Sequence, residues 1–166
     1  MNQTEQNSLP IKLLANPAHF LSFGFGSGYM PVAPGTFGTL AAIPVFLLLS
    51  QFQPVIYGVI LILMSLAGIW LCGYTSHTLG VHDHKAIVWD EVVGYLLTMM
   101  MVPPTLINIC VGFMLFRLFD IWKPWPINLL DKNLHGGLGI MLDDVVAGIF
   151  AAFIMQLLLI YIPGVS

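Results

Sequence analysis

An uncharged stretch from Leu13 to His82 constrains this chain more than any other feature, because it contains no Asp, Glu, Lys or Arg. Over the whole chain only 8% of residues are charged and 58% are hydrophobic, whereas roughly a quarter of residues are charged in ordinary soluble domains. A soluble protein cannot cover its surface with so few charges. We therefore predict a single all-α domain over residues 1–166, an integral membrane helical bundle with a polar tail at 1–15.

Apolar runs predict about four to five membrane-embedded helices. The longest run, Val55–Tyr74, has about the ~20 residues that cross a bilayer, and Thr36–Ser50 precedes it across the short connection "QFQP". A last span covers Val145–Ile162. The run Val92–Phe116 is interrupted by a Pro-Pro pair at 103–104, which removes backbone donors near its middle. It forms either one kinked span or two shorter helices that fold back at the prolines.

The positions of the charges favour the hairpin. One span across 92–116 would put Asp90 and Asp120 on opposite sides of the membrane, whereas a hairpin brings them to the same side. That side then also receives all of the cationic residues, which are Lys12, Lys85, Arg117, Lys123 and Lys132. Because cytoplasmic loops are enriched in Lys and Arg, we expect this side to be cytoplasmic.

The acidic residues are concentrated in two short segments on that side. Every Asp and Glu except Glu5 lies within 82–91 or 120–144. Carboxylate oxygens, water and phosphate oxygens are the ligands that Mg²⁺ prefers, and ionisable residues beside membrane helices are costly to keep there. The alternative is that these residues are solvated charges that only end helices. The candidate metal ligands are Asp90, Glu91, Asp120, Asp143 and Asp144.

The same cluster supplies the candidates for catalysis. These are Asp90, Glu91, Asp120 and Asp144, with His82 as a candidate for proton transfer. On a helix, Gly148 and Ala151 share a face with Asp144, and a stripe of small residues lets another helix approach closely. We therefore expect Asp144 to point into the bundle and Asp143, rotated by ~100°, to lie nearer its rim.

Cationic residues near the second acidic segment are candidates for binding phosphate. If residues 116–123 are helical, Arg117, Asp120 and Lys123 lie on one face at i, i+3 spacing. They form either a ladder of ion pairs, each worth a few tenths of a kcal/mol, or a site in which the two cations neutralise phosphate and Asp120 holds metal. The segment that follows, "NLHGGLG" (133–139), is flexible enough in sequence to place Asn133 and His135 beside a headgroup. Lys132, directly before it, is a further candidate for substrate binding.

The glycine-rich segment "GFGSGYMPVAPGTFGTL" (24–40) lacks the Lys-Ser/Thr ending of a nucleotide-binding loop. Its last part predicts a helix that begins at Pro34, Gly35 and Thr36. Free N–H groups and the helix dipole at such a start can receive an anion. Close packing of membrane helices through small residues is the compatible alternative.

Several classes of protein are excluded by what the chain lacks. Cys72 and Cys110 lie in apolar runs and provide no disulfide framework. The net charge of −3 and the absence of a basic stripe argue against a nucleic-acid partner. The chain contains no Cys-x5-Arg, Asp-x-Asp or "PSGH" motif, so cysteine, aspartyl-phosphate and histidine phosphatases are excluded. Hydrolysis of a phosphate by metal-activated water remains.

Four blocks of the chain resemble the phosphatidylglycerophosphatase A family, Mg²⁺-dependent enzymes of bacterial inner membranes. In order, they are "GFGSGYMPVAPGTFGTLAAIP", "GVHDHKAIVWDEVVG", "FRLFDIWKPWPI" and "HGGLGIMLDDVVAG". The resemblance implies a multi-pass helical protein that removes the terminal phosphate of phosphatidylglycerophosphate, giving phosphatidylglycerol. The lipid substrate is implied by the resemblance alone, and the oligomeric state is left open.

Two other classes of function remain as alternatives. A small cation transporter would also place acids beside helices, although nearer the middle of the membrane. A phosphatidyltransferase would also use clustered aspartates and Mg²⁺, although its Asp-Gly-x2-Ala-Arg pattern is absent here.

Overall fold

The computed structural model describes residues 10–81, 83–125, 127, 134 and 136–161. Within these ranges the chain forms α-helices, short 3-10 turns at Ile11–Ala15 and Ser27–Tyr29, and no strand. The helices are α1 (Pro17–Ser22), α2 (Pro34–Leu49), α3 (Pro54–Leu79), α4 (Trp89–Thr98), α5 (Leu106–Trp122) and α6 (Gly136–Tyr161). Five of them have ten residues or more, as predicted, and α3 and α6 are long and apolar enough to cross a membrane.

Prolines mark the starts of the first two long helices. Pro34 and Pro54 occupy the first turns of α2 and α3, where the missing N–H would be unsatisfied in any residue. The helix α3 extends to Leu79, beyond the predicted Tyr74, and it ends at Gly80 in the left-handed conformation (φ 67°). The short connection predicted between these two apolar helices is confirmed, since only residues 50–53 separate α2 from α3.

The segment around the Pro-Pro pair folds back on itself, which confirms the hairpin and excludes the single kinked span. The helix α4 ends at Thr98, and α5 begins at Leu106. The Thr105 side chain accepts a hydrogen bond from the Asn108 N–H (3.2 Å), and the Asn108 side chain donates to the Pro103 carbonyl (2.9 Å). These contacts fix the turn that brings α5 back towards the start of α4.

The short helix α4 lies at the centre of the bundle. Its ten residues span about 15 Å, half of the ~30 Å hydrocarbon core of a bilayer. All of its residues except Glu91 and Leu97 are buried, and it contacts α2, α3, α5 and α6. Its two acidic residues, Asp90 and Glu91, are therefore held among neighbouring helices.

The helix α6 begins at Gly136, whereas the sequence predicted a flexible segment over 133–139 and a membrane span from Val145. The prediction of a flexible segment was wrong for 136–139. Glycine is a poor helix former, but a Cβ atom at Gly137 would collide with the Ile69 carbonyl of α3. Close packing of α6 on α3 therefore requires glycine and stabilises the helix. As a result Asp143 and Asp144 lie about two turns inside α6.

The connections between helices define two ends of the bundle. At one end the α2–α3 turn and the α4–α5 connection meet around a cavity of about 290 Å³ that includes Phe52 and Pro103. There the Tyr57 hydroxyl donates a hydrogen bond to the Leu96 carbonyl (2.7 Å). At the opposite end lie the start of α2, the α3–α4 connection and the end of α5. The charged residues line a second cavity at that opposite end.

Candidate metal and phosphate site

Three carboxylates, two of them buried and that of Glu91 partly buried, meet at the start of α4. Each of Asp90, Glu91 and Asp144 offers an oxygen within 4.8 Å of those of the other two. Asp90 is 8% exposed and Asp144 is 3% exposed. Among the described residues, Oδ1 of Asp90 and Oε2 of Glu91 have no hydrogen-bond partner. Burying such oxygens without a donor is costly, so the three side chains fit a divalent cation that would take these oxygens as ligands.

Glycines allow close packing of α4 and α6, the two helices that carry these carboxylates. A Cβ atom at Gly94 of α4 would lie 2.8 Å from the Asp144 carbonyl oxygen of α6. The small-residue face of α6 therefore receives a closely packed helix, as predicted, and Asp144 lies on the α4 side. Asp143, predicted to lie nearer the rim than Asp144, is 6% exposed against 3% for Asp144, so both side chains are buried in the bundle.

Arg117 pairs with Asp120 one turn along α5, as their spacing predicts. Its Nη1 also lies 3.9 Å from Oε1 of Glu91 in α4. This contact brings a cation to the edge of the three-carboxylate cluster. Asp120 pairs with Arg117 and its side chain also contacts that of Asp144, and its role as a metal ligand stays a prediction.

Lys123 does not form the i, i+3 ion-pair ladder with Arg117 and Asp120 that the sequence allowed. The helix α5 ends at Trp122, and Lys123 adopts the left-handed conformation (φ 43°). Its Nζ lies 2.6 Å from Oδ2 of Asp143 in α6. The other oxygen of Asp143 accepts a hydrogen bond from the Asp144 N–H (3.0 Å). Asp143 thus contacts a cation and the backbone of Asp144, while its role as a metal ligand stays a prediction.

A cavity of about 270 Å³ joins these groups. Its wall includes Ala33, Pro34 and Gly35 at the start of α2, whereas Thr36 does not line it. Ala33 is held in the left-handed conformation (φ 48°), a strained state that often occurs at functional sites. The charged residues of the wall are Asp83, Lys85, Asp90, Glu91, Arg117, Asp120, Lys123, Asp143 and Asp144.

Sequence reasoning used Lys85 only to orient the chain and missed its place in this wall. Its position between "HDH" and "WDE" was the available signal. The α3–α4 connection that carries it is held by His84, whose Nδ1 accepts a hydrogen bond from the Ala86 N–H (3.2 Å) and whose carbonyl accepts one from the Ile87 N–H (2.7 Å). Burial and then Lys85 lower the pKa of His84, against the opposite effect of Asp83.

Four predicted site residues lie outside the part of the chain that the structure describes. They are His82, Lys132, Asn133 and His135. Their roles as proton-transfer or headgroup-binding residues stay predictions.

The fold and site together define an all-α protein with an acidic cavity where its helices converge. The family model described as phosphatidylglycerophosphatase A matches residues 20–159. Phosphatidylglycerophosphatase A of Escherichia coli (strain K12) is 46% identical over 143 residues, which cover 86% of this chain and 83% of that protein. The chain therefore belongs to the phosphatidylglycerophosphatase A family, which confirms the resemblance of its four blocks.

Two further comparisons agree with this family. Phosphatidylglycerophosphatase A of Haemophilus influenzae is 45% identical over 154 residues, covering 92% of this chain and 94% of that protein. A Bacteroides thetaiotaomicron protein, provisionally named a phosphatidylinositol-3-phosphatase, is 35% identical over 136 residues, covering 77% of this chain and 84% of that protein. No solved structure matches the chain.

Proposed function

We propose that this protein is a lipid phosphatase that hydrolyses the terminal phosphate of phosphatidylglycerophosphate and leaves phosphatidylglycerol. The observation that carries the proposal is the group of three carboxylates, Asp90, Glu91 and Asp144, whose oxygens lie within 4.8 Å of one another. In a chain of this family, such a group beside a cavity with cationic side chains supports phosphate-ester hydrolysis.

Asp90, Glu91 and Asp144 would hold Mg²⁺ in this proposal. When bound, Mg²⁺ withdraws charge from a phosphate group and lowers the pKa of water. The unpartnered oxygens of Asp90 and Glu91 are the best evidence for this assignment. Asp120, whose side chain contacts that of Asp144, and Asp143, which contacts Lys123, are further candidate ligands.

The other residues of the cavity wall bind and orient the phosphate. Arg117, beside Glu91, offers a cation to the non-reacting phosphate oxygens. At the start of α2, Pro34 has no N–H and the Thr36 and Phe37 N–H groups donate to the Ala33 carbonyl. The Gly35 N–H, beside the same cavity, is left for the phosphate. Attack by water on phosphorus forms a new P–O bond and breaks the bond to the glycerol oxygen. A carboxylate of the cluster accepts a proton from the water, and a proton passes to the departing glycerol oxygen, so that inorganic phosphate and the alcohol result.

The same proposal places the protein in the bacterial inner membrane, with several spans and the site on the cytoplasmic side. The long apolar helices α3 and α6 support the membrane location. Trp122 and Trp125, 70% and 78% exposed, lie at the site end, and exposed tryptophans are typical of the membrane–water interface. The bilayer would then deliver the lipid directly to the cavity.

Release of inorganic phosphate tests the function. Purified protein in detergent would receive phosphatidylglycerophosphate with Mg²⁺, or with a chelator, and both phosphate and lipid product would be measured. We expect equal amounts of phosphate and phosphatidylglycerol, and only with Mg²⁺. A transporter would release no phosphate, and a phosphatidyltransferase would release none without an activated lipid, so either result would contradict the proposal. Phosphatidylinositol 3-phosphate, assayed in parallel, tests the activity named for the third relative.

A further inference from the structure

We propose that Lys85 binds the phosphodiester of the lipid substrate, the phosphate that is not hydrolysed. This inference rests on the proposed function. It concerns a residue that sequence reasoning did not assign to the site.

Lys85 differs from the other cations of the cavity wall in its partners. Arg117 contacts Asp120 and Glu91, and Lys123 contacts Asp143. Among the described residues that line the cavity, Lys85 is the cation that forms no ion pair. A phosphate must compete with carboxylates for the first two cations, whereas nothing has to be displaced from Lys85.

The backbone around Lys85 is fixed although its side chain is exposed. The next residues, Ala86 to Val88, are buried at 3% exposure or less. A Cβ atom at Gly28 would collide with the Ala86 carbonyl, and the Val88 N–H donates a hydrogen bond to the Ser22 carbonyl (3.0 Å). The ammonium group is therefore attached to a rigid support at the open part of the cavity.

This placement matches the chemistry of a lipid with two phosphates. The terminal monoester must reach the buried carboxylates Asp90 and Asp144, because it is the group that reacts. The diester lies one glycerol unit away and stays at the open part, where Lys85 is exposed. A lysine ammonium is a compact point charge on a flexible stem, which suits a singly charged diester that needs no defined orientation.

A contact to the diester has a characteristic kinetic effect. The diester keeps its charge throughout the reaction, so Lys85 binds the ground state and the transition state equally. Loss of such uniform binding raises KM and leaves kcat unchanged. A contact to the reacting phosphate would instead lower kcat.

The test compares Lys85→Met with Lys12→Met, a matched change at an exposed lysine that does not line the cavity. With phosphatidylglycerophosphate and saturating Mg²⁺, Lys85→Met should raise KM roughly threefold to tenfold, the range for one charge-assisted contact, at unchanged kcat. Lys12→Met should match the wild type, and Lys85→Arg should largely restore KM. Inhibition supplies a second measurement: Lys85→Met should weaken inhibition by glycerophosphoglycerol, which carries only the diester, and not by inorganic phosphate.

The outcomes separate this inference from the proposed function. Wild-type protein that releases no phosphate from the lipid overturns both. Wild-type release together with an unchanged KM in Lys85→Met overturns the Lys85 inference alone. A reduced kcat, or equal weakening of inhibition by glycerophosphoglycerol and inorganic phosphate, also overturns it, because Lys85 would then act on the reacting phosphate.

Discussion

Gly94 of α4 and Gly148 of α6 lie in backbone contact, so that a Cβ atom at Gly148 would come within 2.5 Å of the Gly94 carbonyl oxygen. The contact sets the separation of the two helices that carry the three carboxylates. Asp90 and Glu91 precede Gly94 by about one turn, and Asp144 precedes Gly148 by about one turn. The spacing of the candidate metal ligands therefore depends on two residues that have no functional side chain.

Substitution Gly148→Ala should lower kcat at least tenfold, because the added methyl group pushes α6 away from α4. Gly58→Ala is the control, since its Cβ would make ordinary contact with the flexible end of Met100 (3.4 Å). Turnover and thermal stability of both purified variants would be compared with the wild type. A folded Gly148→Ala protein with normal turnover would show that this contact does not set the site.

The Lys123–Asp143 pair should act as one unit. We expect Lys123→Met and Asp143→Asn to lower kcat/KM by similar factors, and the double variant to be no worse than either single variant. The reason is that each change removes the same 2.6 Å contact, and coupled residues are not additive. Additive losses in this double-mutant cycle would mean that the two residues bind substrate or metal separately.

His84 should be replaceable by asparagine but not by leucine. The amide oxygen of His84→Asn can accept the Ala86 N–H in place of Nδ1, whereas His84→Leu leaves that donor without its partner. We expect KM for the lipid to stay near the wild-type value in His84→Asn and to rise severalfold in His84→Leu, since the connection positions Lys85. Equal KM values for both variants would contradict this role.

The same histidine gives a pH dependence of stability. The pKa of His84 is lowered in the folded protein, so below the ordinary histidine value of about 6.5 the unfolded chain binds more protons than the folded one. Stability should fall as the pH drops through that range. Thermal unfolding between pH 7.5 and 5.5 should show a smaller loss for His84→Asn than for the wild type.

Labelling of single cysteines tests the orientation in the membrane. In a background without Cys72 and Cys110, Gln51→Cys in the α2–α3 turn should react with an impermeant reagent from the periplasm. Val81→Cys at the other end of α3 should react only when the cytoplasmic side is opened. Both positions are exposed. Labelling of both positions from one side would contradict the proposed topology.

The sequence predicts the positions of the helices well, but it predicts poorly which charged side chains pair with one another. The lengths of the apolar runs predicted α2 and α3, and the Pro-Pro pair predicted the hairpin of α4 and α5, because these signals are local in the sequence. The start of α6 was missed, since glycines at 136–139 look flexible until α3 packs against them. The partner of Lys123 was also missed. Lys123 pairs with Asp143 rather than Asp120 because of where α5 ends and where α6 lies. The spacing of residues within α5 carries no information on either.

The adjacent aspartates Asp143 and Asp144 provide the most direct test of the metal site. Phosphate release from phosphatidylglycerophosphate would be measured for Asp144→Asn and Asp143→Asn over a range of Mg²⁺ concentrations, at equal amounts of protein in the membrane. Asp144 belongs to the three-carboxylate cluster, so Asp144→Asn should lose nearly all turnover at every Mg²⁺ concentration. Asp143→Asn should lose less, because Asp143 is not in that cluster and contacts Lys123. Wild-type turnover of Asp144→Asn at low Mg²⁺ would contradict the account, because this carboxylate would then not be a metal ligand.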